Sequence, residues 1–309
     1  MAAQMKDPIL VTGGTGMIGY RLMRTLTKQG CHIRASYRRE RSGSVPRFIH
    51  PLVTWIEGDL HDQKFCADLC TGIGTVFHCA ALRRNIDEHR KNAERFMEEN
   101  VSMSRTLIGA IAGERSMQQI VFISTANISP HASTADLLSG GDGYVAGKAS
   151  AEILWQELAV SRSLPLLILR PVGVYGPDDR FAEDSNVIPS LMIKAETHTD
   201  ELRLWGDGTQ KRSFLFVEDL IRAIFHLLEH HVNGTQYIAP PEVVSVRELA
   251  EMIRDIVNPD LPIACDASKP AGQNIFQEFP THPLLKNFPW TPLSEGLRRT
   301  YEDWRAKSE

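Results

Sequence analysis

The chain lacks several features, and each absence excludes a class of protein. It has no long apolar run. The longest, Leu164–Leu169, contains a proline and falls far short of the roughly 20 residues that span a bilayer. No long apolar stretch precedes a small-residue cleavage site near the N-terminus, so no signal peptide is expected. Basic charge is not in excess: 34 Lys and Arg against 38 Asp and Glu leave a net charge of −4. A nucleic-acid binder usually advertises a basic face, so nucleic acid is not an expected partner. The five cysteines, Cys31, Cys66, Cys70, Cys79 and Cys265, are odd in number and scattered. That pattern predicts reduced thiols and a cytoplasmic protein. Cys66 and Cys70 are four apart, with His61 and His78 nearby in sequence. Metal signatures bring their ligands in tighter, paired spacings, so the two cysteines read as a small core pair and no metal is expected. No internal repeat or low-complexity block is present.

What is there is an ordinary globular composition, 42% apolar and 23% charged, over 309 residues. Short apolar runs predict strands at Ile9–Thr12, His32–Ser36, Thr54–Glu57, Thr75–Cys79, Ile120–Ser124 and Leu166–Leu169. Amphipathic stretches near 17–29, 62–71, 94–113 and 143–161 predict helices between them. This spacing predicts an α/β fold, a Rossmann-type doubly wound parallel sheet. After about residue 172 the rhythm breaks. Strand candidates remain at Leu202–Trp205 and Gln236–Ala239, and helix candidates at 218–230, 245–257 and 293–306. The expected division is a Rossmann domain of residues 1–172 plus 213–239, and a smaller α/β substrate lobe of residues 173–212 plus 240–309.

The first strand runs into Thr12-Gly13-Gly14-Thr15-Gly16-Met17-Ile18-Gly19, with three glycines three apart. The first permits a tight turn, the second a close backbone approach to a pyrophosphate, and the third close packing of helix on sheet. The helix start offers free N–H groups and a positive dipole end to the phosphates. This predicts a dinucleotide cofactor. A carboxylate about 20 residues past the glycines would bind the ribose hydroxyl of NAD. Here the second strand ends Ala35-Ser36-Tyr37-Arg38-Arg39, with no acid. Arg38 and Arg39 suit a 2′-phosphate instead, which favours NADP, with NAD as the alternative. Asp59, after the third strand, is placed either to meet the adenine edge or to cap a helix.

Tyr144-Val145-Ala146-Gly147-Lys148 puts a tyrosine and a lysine on one helix face, after a strand that ends Ser124-Thr125. A free tyrosine has a pKa of about 10; bringing it to about 7 takes roughly 4 kcal/mol of differential interaction. A nearby ammonium and a positively charged nicotinamide are able to supply it. Tyr144 is then expected to exchange a proton with a sugar hydroxyl or ketone while hydride moves at the nicotinamide, with Thr125 expected to orient the same oxygen. Ser124 is the alternative hydroxyl.

Together these residues resemble the extended short-chain dehydrogenase/reductases, the nucleotide-sugar epimerase/dehydratase family. The resemblance adds Asp59-Leu60, His78-Cys79-Ala80-Ala81, Leu169-Arg170-Pro171, Asn186-Val187-Ile188-Pro189 and the run Trp205 to Phe214. It implies cofactor contacts at Gly13, Gly16, Met17, Ile18, Gly19, Arg38, Asp59, Leu60, Ala80, Ala81, Tyr144, Lys148 and Pro171. It implies nucleotide-sugar contacts at Asn186, Val187, Lys194, Trp205, Arg212 and Lys269, with Arg212 on the diphosphate. The tail Asp266 to Pro270 and Trp290-Thr291-Pro292-Leu293 is similar to that of GDP-L-fucose synthases. Those relatives carry a cysteine two residues past the catalytic hydroxyl and a histidine before the Val-Ile-Pro segment; here Asn127 and Asn186 stand there. Amides are no general acids or bases at neutral pH, so the epimerising half is expected to be absent. The acidic pair of the 4,6-dehydratases is replaced by Ala126-Asn127. The expected activity is an NADPH-dependent reduction of a nucleotide-linked 4-keto-6-deoxy sugar at C4. An NAD-dependent nucleotide-sugar 4-epimerase is the alternative, and a non-catalytic dinucleotide sensor a third reading. The resemblance also implies a homodimer paired through the helices near 94–113 and 143–161.

Overall fold

The alternation of apolar runs and amphipathic stretches resolves, in a computed structural model, into thirteen strands and nine α-helices among the described residues. Those residues are 5–39, 48–131, 133, 136, 141–182, 185–266, 268 and 278–308. The strands are β1 Ile9–Thr12, β2 Ile33–Tyr37, β3 Val53–Glu57, β4 Thr75–His78, β5 Gln119–Ile123, β6 Leu166–Pro171, β7 Gly173–Tyr175, β8 Leu202–Trp205, β9 Lys211–Arg212, β10 Phe214–Phe216, β11 Gly234–Ile238, β12 Val244–Ser245 and β13 Ile263–Asp266. The helices are α1 Met17–Lys28, α2 Gln63–Cys70, α3 Ile86–Lys91, α4 Ala93–Ala112, α5 Gly143–Arg162, α6 Val187–Thr197, α7 Val217–Glu229, α8 Val246–Val257 and α9 Leu293–Ser308.

The chain divides into two compact units. The first holds residues 1–170 and 221–237, the second residues 171–220 and 238–309. Residues 213–220 therefore go with the second unit, where the sequence division put them with the first. The physical reason is pairing: β10 hydrogen-bonds to β7 in parallel, Leu215 opposite Val174.

The central sheet runs β11-β6-β5-β4-β1-β2-β3. The pairs from β3 through β6 are parallel. The order reverses between β1 and β4, the point at which doubly wound sheets bind ligands beyond their carboxyl ends. Strands β1 and β4 are buried at every position, as a sheet covered on both faces requires. One core packs Leu10, Val76, Ile120 and Phe122 against Leu107 of α4 and Trp155 of α5. Cys66 and Cys70 belong to that core, and burial pushes their thiols up, to about 11 and about 12.

In the second unit, α6, α8 and α9 enclose a separate core around Met192, Leu249, Ile253 and Leu297. Helix α6 falls within the segment without readable rhythm. Its Pro189 sits in the first turn, where a missing N–H costs no helical bond.

Candidate active site

The glycine loop takes its shape from backbone contacts. Gly13 has φ +68°, and a Cβ there would come within 2.8 Å of the Ala80 Cα. A Cβ at Gly19 would lie 2.4 Å from the Gly13 carbonyl oxygen. Only glycine lets β1, the loop after β4 and α1 meet this closely. Gly16 is the N-cap of α1 and makes no side-chain cap bond, so no side chain caps the amides of Met17 and Ile18. An uncapped helix start with an open glycine beside it fits a pyrophosphate.

The ends of β1 and β4 are tied by side chains. The Thr12 hydroxyl accepts from the Ala80 N–H at 3.2 Å and lies 2.7 Å from Nδ1 of His78. His78 Nε2 is 3.3 Å from the Ser104 hydroxyl. Burial, with help from Lys148, holds His78 down at about 3, so it stays neutral and structural. Ala80 and Ala81 follow on this loop. Leu60 is buried in the first core, and Pro171 ends β6.

Asp59 is not a helix cap. The α2 cap is Asp62, which accepts from the Lys64 and Phe65 N–H groups. One Asp59 oxygen takes the backbone N–H of His61 at 3.0 Å and its Nδ1 at 2.6 Å; the other lies 3.5 Å from Arg38. Burial works to raise its pKa, but the hydrogen bonds from His61 and the charge of Arg38 hold it below the usual value. Arg39 pairs with Glu57 at 3.0 Å.

Helix α5 presents Tyr144 and Lys148 one turn apart. Asp142 caps it, accepting from the Tyr144 and Val145 N–H groups. Tyr144 is 5% exposed, and its ring stacks on His89 at 4.8 Å. Burial raises the phenol's pKa, the Arg83 guanidinium lowers it and Asp142 raises it. Lys148 is 2% exposed, with its ammonium 4.2 Å from the Phe122 ring centre. Burial brings it down to about 7, against the opposing pull of Glu152.

The two candidate hydroxyls are distinguished by their partners. Ser124 donates to the Glu152 carboxylate, which Arg170 also grips through Nε at 3.0 Å and Nη2 at 2.6 Å. Thr125 accepts from the Asn127 N–H at 3.3 Å and keeps its own O–H to donate. Ile128, three residues on, packs in the same apolar cluster as Tyr144.

Glu152, His89 and Arg83 did not emerge as candidates from the sequence. Glu152 carried a signal, since it lies one turn beyond Lys148 on the same helix. His89 and Arg83 had none.

The second unit carries the other group. Asn186 is the N-cap of α6 and makes no side-chain cap bond, Val187 opens that helix, and burial lowers the pKa of Lys194 on its last turn. Trp205 ends β8 and is 48% exposed. Arg212 lies on β9 opposite Val244. Its Nε is buried without an acceptor, as is Nε2 of Gln210 two residues earlier. A guanidinium left with an unsatisfied buried donor fits an anionic ligand not yet supplied. Lys269 lies outside the described residues. A cavity of about 380 Å³ lies away from these residues, by the last turns of α5, around Gln156, Val160 and Pro165, and no charged side chain lines it.

Comparison with known proteins bears on the family and the fold. Residues 9–244 match the model of the NAD dependent epimerase/dehydratase family. A dTDP-4-dehydro-6-deoxy-D-allose reductase of Streptomyces sp is 29% identical, over 96% of both chains. GDP-L-fucose synthase 1 of Arabidopsis thaliana is 26% identical, over 97% of this chain and 93% of its own. The UDP-glucose 4-epimerase of Thermotoga maritima superposes with a TM-score of 0.82 at 21% identity, covering 97% of this chain and 99% of that one, a likeness of fold. The chain belongs to the NAD dependent epimerase/dehydratase family, enzymes of the extended short-chain dehydrogenase/reductase type that act as NAD(P)-dependent oxidoreductases or epimerases.

Proposed function

We propose that the protein is an NADPH-dependent reductase of a nucleotide-linked 4-keto-6-deoxy sugar. The observation that carries this reading is a pair of amides. By the resemblance, Asn127 and Asn186 stand where fucose synthases carry their proton-exchanging cysteine and histidine, while the chain keeps Thr125, Tyr144 and Lys148. Carbonyl reduction needs the second set only. The 29% identity to a reductase of a dTDP-linked 4-keto-6-deoxy sugar supports the same class.

When bound, the reduced nicotinamide supplies the hydride. Gly13, Gly16 and Gly19 admit the pyrophosphate, and the Met17 and Ile18 amides hold it. Thr125 donates a hydrogen bond to the C4 carbonyl oxygen. Tyr144 gives that oxygen its proton. Lys148, when charged, stabilises the phenolate that remains. Arg212, with its buried unsatisfied donor, binds the diphosphate of the sugar nucleotide. Lys194, Lys269, Trp205, Asn186 and Val187 complete its contacts.

Arg38 is our determinant for NADP. Its contact with Asp59 is long and half-exposed, 3.5 Å with both side chains nearly half accessible. Such a pair contributes about 0–1 kcal/mol, so a 2′-phosphate displaces it at little cost. The second reading, a 4-epimerase that retains NAD, uses the same three catalytic residues. Mass spectrometry of the cofactor released by denaturing freshly purified protein separates the two. Little cofactor or NADP supports the reductase; close to one NAD per chain would contradict it.

We also propose a homodimer through α4 and α5. Among the described residues, three of the six exposed large apolar side chains, Met97, Ile153 and Val160, lie on these two helices.

A further inference from the structure

At the buried start of α5 the Tyr144 phenol has few charged neighbours besides Lys148. Lys148 is 2% exposed, and burial holds its ammonium at about 7, so near neutral pH it is charged only part of the time. The groups around it do not compensate. From the end of β4, His78 is held at about 3 and Cys79 is pushed up to about 12, so both are neutral. From α5 itself, Glu152 is engaged by Arg170, and Asp142, the helix cap, raises the Tyr144 pKa.

One permanent cation faces the tyrosine. Arg83, in the loop after β4, places its guanidinium carbon 5.9 Å from the Tyr144 ring centre. It is half-buried, and no carboxylate pairs with it among the described residues. The loop that carries it is anchored on the helix of the tyrosine. His89 stacks on the Tyr144 ring, accepts the Arg84 N–H on Nε2 at 3.0 Å, and sets Nδ1 3.3 Å from the Asp142 carboxylate. Arginine keeps its charge at any pH the fold survives, unlike a buried lysine.

We propose that Arg83 is a positioning residue for proton transfer, whose guanidinium over the Tyr144 ring draws negative charge onto the phenol oxygen and shares that task with Lys148. The proposal rests on reading Tyr144 as the proton donor. Arg83 favours the phenolate and disfavours the Lys148 ammonium together, so its charge acts on the pair as a unit.

The test is a titration that needs no turnover. The near-ultraviolet phenolate absorbance of the protein with NADP added is followed against pH, and the trace of Tyr144→Phe is subtracted to leave the Tyr144 step. Arg83→Met moves that step up by about one pH unit, the loss of one nearby opposite charge. Arg83→Lys, which restores the charge, brings it back towards the wild-type position and controls for disturbed folding. A Tyr144 step at the same pH in wild type and Arg83→Met, or no Tyr144 step in either, would overturn the proposal. Absence of ketone reduction by a protein that shows the predicted shift would instead count against the reductase reading alone.

Discussion

Tyr144 and Lys148 are buried polar groups, at 5% and 2% exposure, and the proposed reaction has charge change there. Burial penalises the phenolate and the ammonium alike, raising one pKa and lowering the other. The proton therefore rests on the tyrosine in the free protein, which is the state a general acid needs before a ketone arrives. Removing the phenol oxygen leaves the cradle intact, because the glycine loop and the α1 start do not depend on it. Tyr144→Phe is expected to lower kcat by about two to four orders of magnitude, the usual contribution of a positioned acid. Binding of NADPH, followed by fluorescence titration, should stay unchanged. Thr125→Val should also lower kcat, whereas Ser124→Ala should act mainly on stability, since its hydroxyl is committed to Glu152.

Helix α5 joins chemistry to scaffold. Positions 144, 148 and 152 fall one turn apart, so one face carries the proposed acid, the lysine and the carboxylate that Arg170 and Ser124 engage. Glu152 receives Ser124 from the end of β5 and Arg170 from β6, and Arg170 also donates to the Tyr237 hydroxyl of β11. Both partners of the ion pair are largely buried, at 4% and 15% exposure for Glu152 and Arg170. Glu152→Ala strands a buried guanidinium and is expected to destabilise the protein by about 3–5 kcal/mol, read from denaturant unfolding. Most of this framework was legible in the sequence. Strands buried on both faces read as apolar runs, and the glycine spacing located β1 and α1 together. Besides α6, what was not legible lies mostly where no periodicity is needed. Helix α3 is six residues long and held by its Asn85 cap, and strands β7, β9, β10 and β12 have two or three residues each. At the site, His89 and Arg83 are brought to Tyr144 by tertiary packing alone, and no spacing along the chain announces that.

At the scale of the whole molecule, each unit carries its own set of candidate residues. The first holds the glycine loop with Tyr144 and Lys148, and the second holds Arg212, Lys194 and Trp205. No helix among the described residues is long and apolar enough to cross a membrane. Helices α4 and α5 expose apolar side chains, Val160 at 79% and Ile153 at 67%. If these pair two chains, Ile153→Asp should shift the mass in solution, measured by light scattering, from two chains to one. An unchanged mass would place the interface elsewhere. The central claim, reduction of a ketone on a nucleotide sugar, is tested most directly by isotope transfer. The protein is incubated with NADPH deuterated at the reactive nicotinamide position and a dTDP-linked 4-keto-6-deoxy sugar, and the product is read by mass spectrometry and NMR. One deuterium at C4 with equimolar NADPH oxidation is the predicted result. No deuterium transfer to this or any other 4-keto nucleotide sugar, alongside interconversion of intact sugar nucleotides without net cofactor consumption, would contradict it.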